Sequence, residues 1–157
     1  MYLYRSVKKC YLLFILLSIF LFLFAVIFTF LFLDANKKIK MICINDNCFK
    51  VEIVKNQKDK EKGLSFKESL PINAGMLFVY KKEDFYSFWM KDMNFSLDII
   101  WINKNKKIVH IEKNVPPCNT KKCQKYRPTQ KAMYVLEINS NLTEKLKIKK
   151  GDKIVLK

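Results

Sequence analysis

At 157 residues the chain has room for one domain and an added segment. Its formal charge of +16 resembles a nucleic-acid signal, yet of 30 basic residues only Arg5 and Arg127 are arginine. Nucleic-acid readers favour arginine for bidentate contacts, so we read no nucleic-acid partner and assign the lysines to a solvated surface with weak attraction to anionic lipid headgroups.

Residues 1–10 form a short basic segment with Arg5, Lys8 and Lys9. From Tyr11 to Leu33 there is no charge, glycine or proline. A helix over that run spans about 34 Å, against roughly 30 Å for a bilayer's hydrocarbon core. It is apolar on every face, so the sequence predicts one transmembrane anchor over 11–33. The run exceeds a secretory h-region and no clean cleavage site follows, so the anchor is expected to stay uncleaved. Residues 34–38 read as a linker and 39–157 as an extracytoplasmic domain. Lys and Arg counts on the two sides of the anchor nearly balance, so charge alone does not orient it.

Cysteine supplies the direction. Cys43 and Cys48 form one pair, Cys118 and Cys123 another of equal spacing. An even set in a small domain after an anchor points to disulfides and an oxidising compartment. Three pairings are open. Local closure is preferred, because Asn45-Asp46-Asn47 has turn chemistry between the first two. A four-thiolate zinc site is the alternative.

In chain order, Ile39–Ile44 and Phe49–Val54 read as a hairpin, and residues 55–66 as a short exposed helix stopped by Gly63. Two strands follow, Gly75–Tyr80 and Phe85–Met90, joined by a polar loop. Leu97–Ile102 and Lys107–Lys113 form another pair about a lysine- and asparagine-rich turn. A long loop, 114–130, carries the second cysteine pair. Ala132–Asn139 is a strand, 141–147 a helical turn or two, and Lys153–Lys157 a last strand. The sum is an α+β, mainly β domain: a small barrel or curled, antiparallel-rich sheet with two short helices, preceded by one transmembrane helix.

Four residues stand out as candidates for ligand binding or for fixing a turn: Trp89, Lys91, Asp98 and Glu137. Leu97–Ile102 is apolar on both faces, so it reads as a central strand, and Asp98 within it needs partners. Lys91 or the backbone of 92–96 are the nearest. Glu137 shares a face with Met133 and Val135. If the two acids were neighbours they would make a paired-carboxylate hydrolase site. His110, the only histidine, reads as structural, and Met76, Met90 and Met93 read as core. Tyr86 and Trp89 are the aromatics placed to line a groove. No nucleophile, cofactor or metal motif is present.

Gly63-Leu64, Gly75-Met76-Leu77-Phe78, Phe88-Trp89-Met90-Lys91, Leu97-Asp98-Ile99-Ile100, Tyr134-Val135-Leu136-Glu137 and Gly151-Asp152 occur in one order at compact spacing. The series resembles the domain-of-unknown-function family 192 over roughly Ile39 to Lys157. The resemblance implies a compact, mainly β domain, often secreted or membrane-anchored, and supplies no activity. The family often reads Lys-Asn-Thr where this chain has Lys91-Asp92-Met93. The Cys118 and Cys123 pair is similar to an elaboration of some anchored members, which implies a disulfide rather than zinc. The expectation is a membrane-anchored extracytoplasmic module that binds a cell-envelope component or a protein partner without catalysis. The alternatives are a small hydrolase using Asp98 and Glu137, and a thiol or zinc protein.

Overall fold

A computed structural model describes residues 14–29 and 39–157, which fall into two compact units divided after Lys37. In the first, residues 14–29 are helical (α1) and every described side chain is exposed. Ser18 Oγ and Thr29 Oγ1 each donate to a carbonyl one turn back, Ile15 and Val26, both at 2.8 Å. Among the described residues no helix is long and apolar enough to cross a membrane. The rest of the 11–33 run, the 1–10 segment and the 34–38 linker lie outside them.

The second unit is a curled sheet. In chain order it carries β1 (Ile39–Ile44), β2 (Asn47–Val54), α2 (Gln57–Lys62), β3 (Ala74–Asp84), β4 (Phe88–Trp89) and β5 (Leu97–Ile102). Then come β6 (Ile108–Val115), β7 (Lys125–Tyr126), β8 (Ala132–Asn139), α3 (Leu142–Lys145) and β9 (Ile154–Leu156). Seven strands run in the order β6-β5-β8-β3-β2-β1-β9, and β4 with β7 makes a separate two-stranded ribbon. All pairings are antiparallel except β2 with β3. The outer strands meet at one end, where Ile108 N donates to Asp152 O, Gly151 N to Ile108 O and Ile154 N to Lys106 O, each at 2.9 Å. The sheet is thus curled nearly to a barrel and pinned at one corner.

Strand alternation sends side chains to two cores. The inner face gathers Ile42, Ile44, Phe49, Leu77, Ile100 and Leu136, closed by Leu142 and Ile148. The outer face carries Met76, Phe78, Ile99, Trp101 and Val135, covered by Phe88, Met90, Met93 and Leu64. The three methionines are 1–3% exposed and act as fillers between the sheet and its cover. β5 is buried at all six positions because it has a core on each face.

Local signals explain the ends. Asn45, at φ 52°, turns β1 into β2, a left-handed conformation asparagine tolerates. Asn56 caps α2 by accepting from Asp59 N at 2.8 Å, and Gly63, at φ 50°, ends it while its N–H reaches Asp59 O at 2.8 Å. Two expectations are corrected. Gly75–Tyr80 does not stop at a polar loop; β3 runs to Asp84, where it rejoins β8 after a register break. Phe85–Met90 is not a strand along its length; only Phe88–Trp89 (β4) is, and it pairs with β7.

Candidate functional site

Asp98 is fully buried and fully occupied. Its Oδ1 accepts from Asn114 N at 2.8 Å and Asn141 N at 3.1 Å. Its Oδ2 accepts from Thr143 N at 2.8 Å and Thr143 Oγ1 at 2.7 Å. Asn114 and Asn141 both hold positive φ, so the carboxylate ties together two left-handed turns and the start of α3. The partners are not Lys91 or the 92–96 turn. They come from the far ends of β6 and β8, which sequence distance conceals.

Glu137 is buried on the opposite face. Asp98 is registered with Ile138 and so faces the inner core; Glu137 is registered with Ile99 and Met76 and faces the outer core. The sheet therefore separates the two carboxylates, and the paired-carboxylate arrangement is overturned. Glu137 is 5% exposed. Burial pushes its carboxyl up to about 8, so it is mostly protonated at neutral pH.

The signature segment from Phe88 to Met93 is a cover strip. Phe88, Met90 and Met93 point into the outer core while Trp89 and Lys91 face solvent. Asp92 sits at φ 56°, and its N–H donates to Cys118 O at 3.2 Å; Cys118 N returns a bond to Met90 O at 2.9 Å. Aspartate tolerates that left-handed backbone. Cys118–Cys123 is a disulfide, as is Cys43–Cys48 across the β1–β2 hairpin. The four thiols of the zinc alternative are consumed in these bonds. The first disulfide staples the hairpin; the second clamps the loop that leads into β7.

Between α2 and the β4–β7 ribbon lies an open cleft of about 470 Å³, lined by Lys60, Tyr80, Tyr86, Trp89 and Lys125 among others. Tyr80 and Tyr86 stack with centroids 3.4 Å apart and rings 11° from parallel. Lys60 Nζ lies 4.0 Å from the Tyr80 centroid, on the face Tyr86 leaves open. Tyr80 is therefore sandwiched, and Tyr86 presents its outer face. The Tyr86 hydroxyl donates to Lys82 O at 2.8 Å, and its backbone carbonyl accepts Trp101 Nε1 at 2.8 Å, so the residue is held from both ends. Trp89 is 48% exposed, with Lys91 Nζ 5.8 Å from its centroid. Lys125 stands directly across the ribbon from Trp89.

The electrostatics follow from crowding. Burial and the nearby Lys81 lower the Lys60 ammonium below the usual lysine range. Tyr80 is raised by burial, then by Tyr86 and Glu137; Tyr86 is raised by burial and by Asp84. Among the described residues no carboxylate pairs with Lys60, Lys91 or Lys125. The one acid of the cleft wall, Glu61, accepts from Gln57 Nε2 at 2.9 Å.

Of the sequence candidates, the structure brings Trp89 to the cleft, with Lys91 beside its ring, and leaves Asp98 and Glu137 in the cores. Tyr86 joins the cleft as an aromatic wall. Lys60, Tyr80 and Lys125 were missed, since they come from α2, β3 and β7 and meet only when the ribbon folds back. Tyr80 carried a usable signal: it continues the Met76, Phe78 alternation. His110 Nε2 lies 2.9 Å from Glu112 Oε1 and its ring packs edge-on against Trp101, as a structural residue does.

These features define a disulfide-tied, curled β domain with an aromatic, cation-bearing cleft. The DUF192 family model, described as "Uncharacterized ACR", matches residues 40–156, and the chain belongs to that family. It is similar to a crystal structure of a protein of unknown function from Novosphingobium aromaticivorans, at 27% identity and TM-score 0.69, covering 76% of this chain and 84% of that one. A putative transcription regulator from Sinorhizobium meliloti shares the fold at 22% identity and TM-score 0.68, covering 76% and 95%. Among curated proteins none matches.

Proposed function

We propose that this DUF192 member is a membrane-anchored, extracytoplasmic binding module that takes a cell-envelope component into the cleft beside Trp89, without catalysis. The observation that carries the reading is the cleft itself: a rigid aromatic wall, an exposed tryptophan and lysines without acidic partners, all supplied by elements that the outer core fixes in place. Rigid aromatic surface with a few placed polar groups is the composition of a ligand site. Asp98 is consumed by the fold and Glu137 lies buried in the outer core, so neither acid enters this surface.

The anchor rests on the apolar run 11–33. The hydroxyls of Ser18 and Thr29 turn back onto their own helix, which lets polar side chains sit in lipid without unmet hydrogen bonds. Two disulfides in so small a domain favour an oxidising compartment.

The test uses the full chain in cells. It should sediment with membranes, be digested by protease added outside spheroplasts, and show one maleimide-reactive thiol before reduction and five after, since the chain has five cysteines. Detergent-solubilised envelope extract should change the fluorescence of Trp89. A soluble chain with five free thiols, or extract that leaves the fluorescence unchanged, overturns the reading.

A further inference from the structure

We infer that the cleft is built for an acidic saccharide: a pyranose ring laid against Tyr86 and Trp89, with its carboxylate or phosphate held by Lys125 and Lys91, the two lysines beside Trp89. The inference rests on the binding-module reading and narrows its ligand.

Three features converge. First, the available aromatic surface is limited and specific. Tyr80 has both faces covered, by Tyr86 at 3.4 Å and Lys60 at 4.0 Å, so a ligand meets only Tyr86 and Trp89. Both belong to one short segment held by the Trp101–Tyr86 bond and the ribbon. The apolar C–H face of a sugar fits such a wall. Second, the cations border the aromatic surface directly. Lys125 is registered opposite Trp89, and Lys91 is 5.8 Å from the indole centroid; Lys60 lies behind Tyr80, away from the open face of Tyr86. Third, the remaining polar wall is made of hydroxyl, amide and carboxylate groups: Ser87, Gln57 and Glu61. This mixture of donors and acceptors suits ring hydroxyls.

The test is calorimetry and tryptophan fluorescence on the full chain in detergent micelles. The probes are pentagalacturonate, its neutral methyl ester, glucose 1-phosphate and AMP. Trp89 and the buried Trp101 are the two tryptophans, so Trp89→Phe locates the signal. Pentagalacturonate should quench Trp89 saturably and bind about tenfold or more tightly than the ester, a difference of about 1.4 kcal/mol. Lys91→Gln with Lys125→Gln should weaken it by a similar factor at unchanged melting temperature. Binding of glucose 1-phosphate in place of the uronate assigns the charge to phosphate and supports the same site. Equal binding of acid and ester, or binding of AMP alone, overturns the inference. If no saccharide binds while envelope extract still alters Trp89, this inference fails and the binding-module reading stands. If extract is silent too, both fall.

Discussion

Asp98 and Glu137 lie on neighbouring strands, one step apart in register, and point to opposite sides of the sheet. That single step decides their chemistry. Asp98 meets four donors at the corner where β5, β6 and α3 converge. Glu137 is registered with Met76 and Ile99 and faces the apolar outer core.

Asp98→Ala should therefore destabilise the domain severely. It leaves the buried Thr143 N–H and hydroxyl without an acceptor and frees two left-handed turns. The expected loss is about 3–5 kcal/mol by urea unfolding. Asp98→Asn keeps one acceptor oxygen and should lose less, about 2 kcal/mol. A loss under about 1 kcal/mol for the alanine variant would show that the corner does not depend on this carboxylate.

Glu137 makes stability depend on pH in the opposite sense from an ion-paired acid. Its folded value is about 8 against an ordinary 4.5, so between those limits the folded chain holds a proton that the unfolded chain releases. Stability should fall as pH rises from about 4.5 to 8, by on the order of a few kcal/mol, and level off above. Glu137→Gln removes the titrating group and should flatten that slope. Urea midpoints across roughly pH 5–9 measure it; parallel curves for the two proteins would refute the assignment.

Gly75 is placed for contact rather than for backbone freedom. A Cβ there would lie 2.7 Å from Glu137 O and 3.2 Å from Ile138 Cγ2. Gly75→Ala must push β3 away from β8 in the middle of the sheet, with an expected cost of about 1–3 kcal/mol by urea unfolding. Gly151, whose Cβ would meet nothing within 4 Å, offers a control of another kind: its φ of 96° tests strain without crowding.

The disulfide in the 114–130 loop should matter locally. Cys118→Ser with Cys123→Ser opens a short loop worth about 2 kcal/mol in the chain-entropy model. It also releases the wall that carries Lys125. Trypsin should then cut faster at Lys121, Lys122 or Lys125, and Trp89 emission should shift, while urea unfolding of the sheet changes by no more than that amount. Unchanged proteolysis would show that the Cys118–Met90 and Cys118–Asp92 backbone bonds hold the loop alone.

Strands β1, β5 and β8 were legible because their patterns are strong and their ends are marked by asparagine turns. The hairpin disulfide was legible for the same reason. The β4–β7 ribbon was not: two residues on each side carry no periodicity, and the loop between them conceals the pairing. The cleft was half legible. Trp89 and Tyr86 stood out as aromatics beside charges. Lys60 and Lys125 did not, because in a chain with so many lysines no single one is a signal until the fold places it against a ring.

The pairing of β1 with β9 sets the order in which the domain can be completed. β1 and β2 are made first and close their own hairpin through local contacts and the Cys43–Cys48 bond. β1 keeps an unsatisfied edge until β9 is synthesised, because among the described residues no earlier strand occupies that side. β9 also brings the contact that draws the β6 end to the opposite margin of the sheet. The small strand Ile154–Leu156 is therefore a late latch. While the chain is still being made, the edge it will cover stays open to any other extended segment nearby.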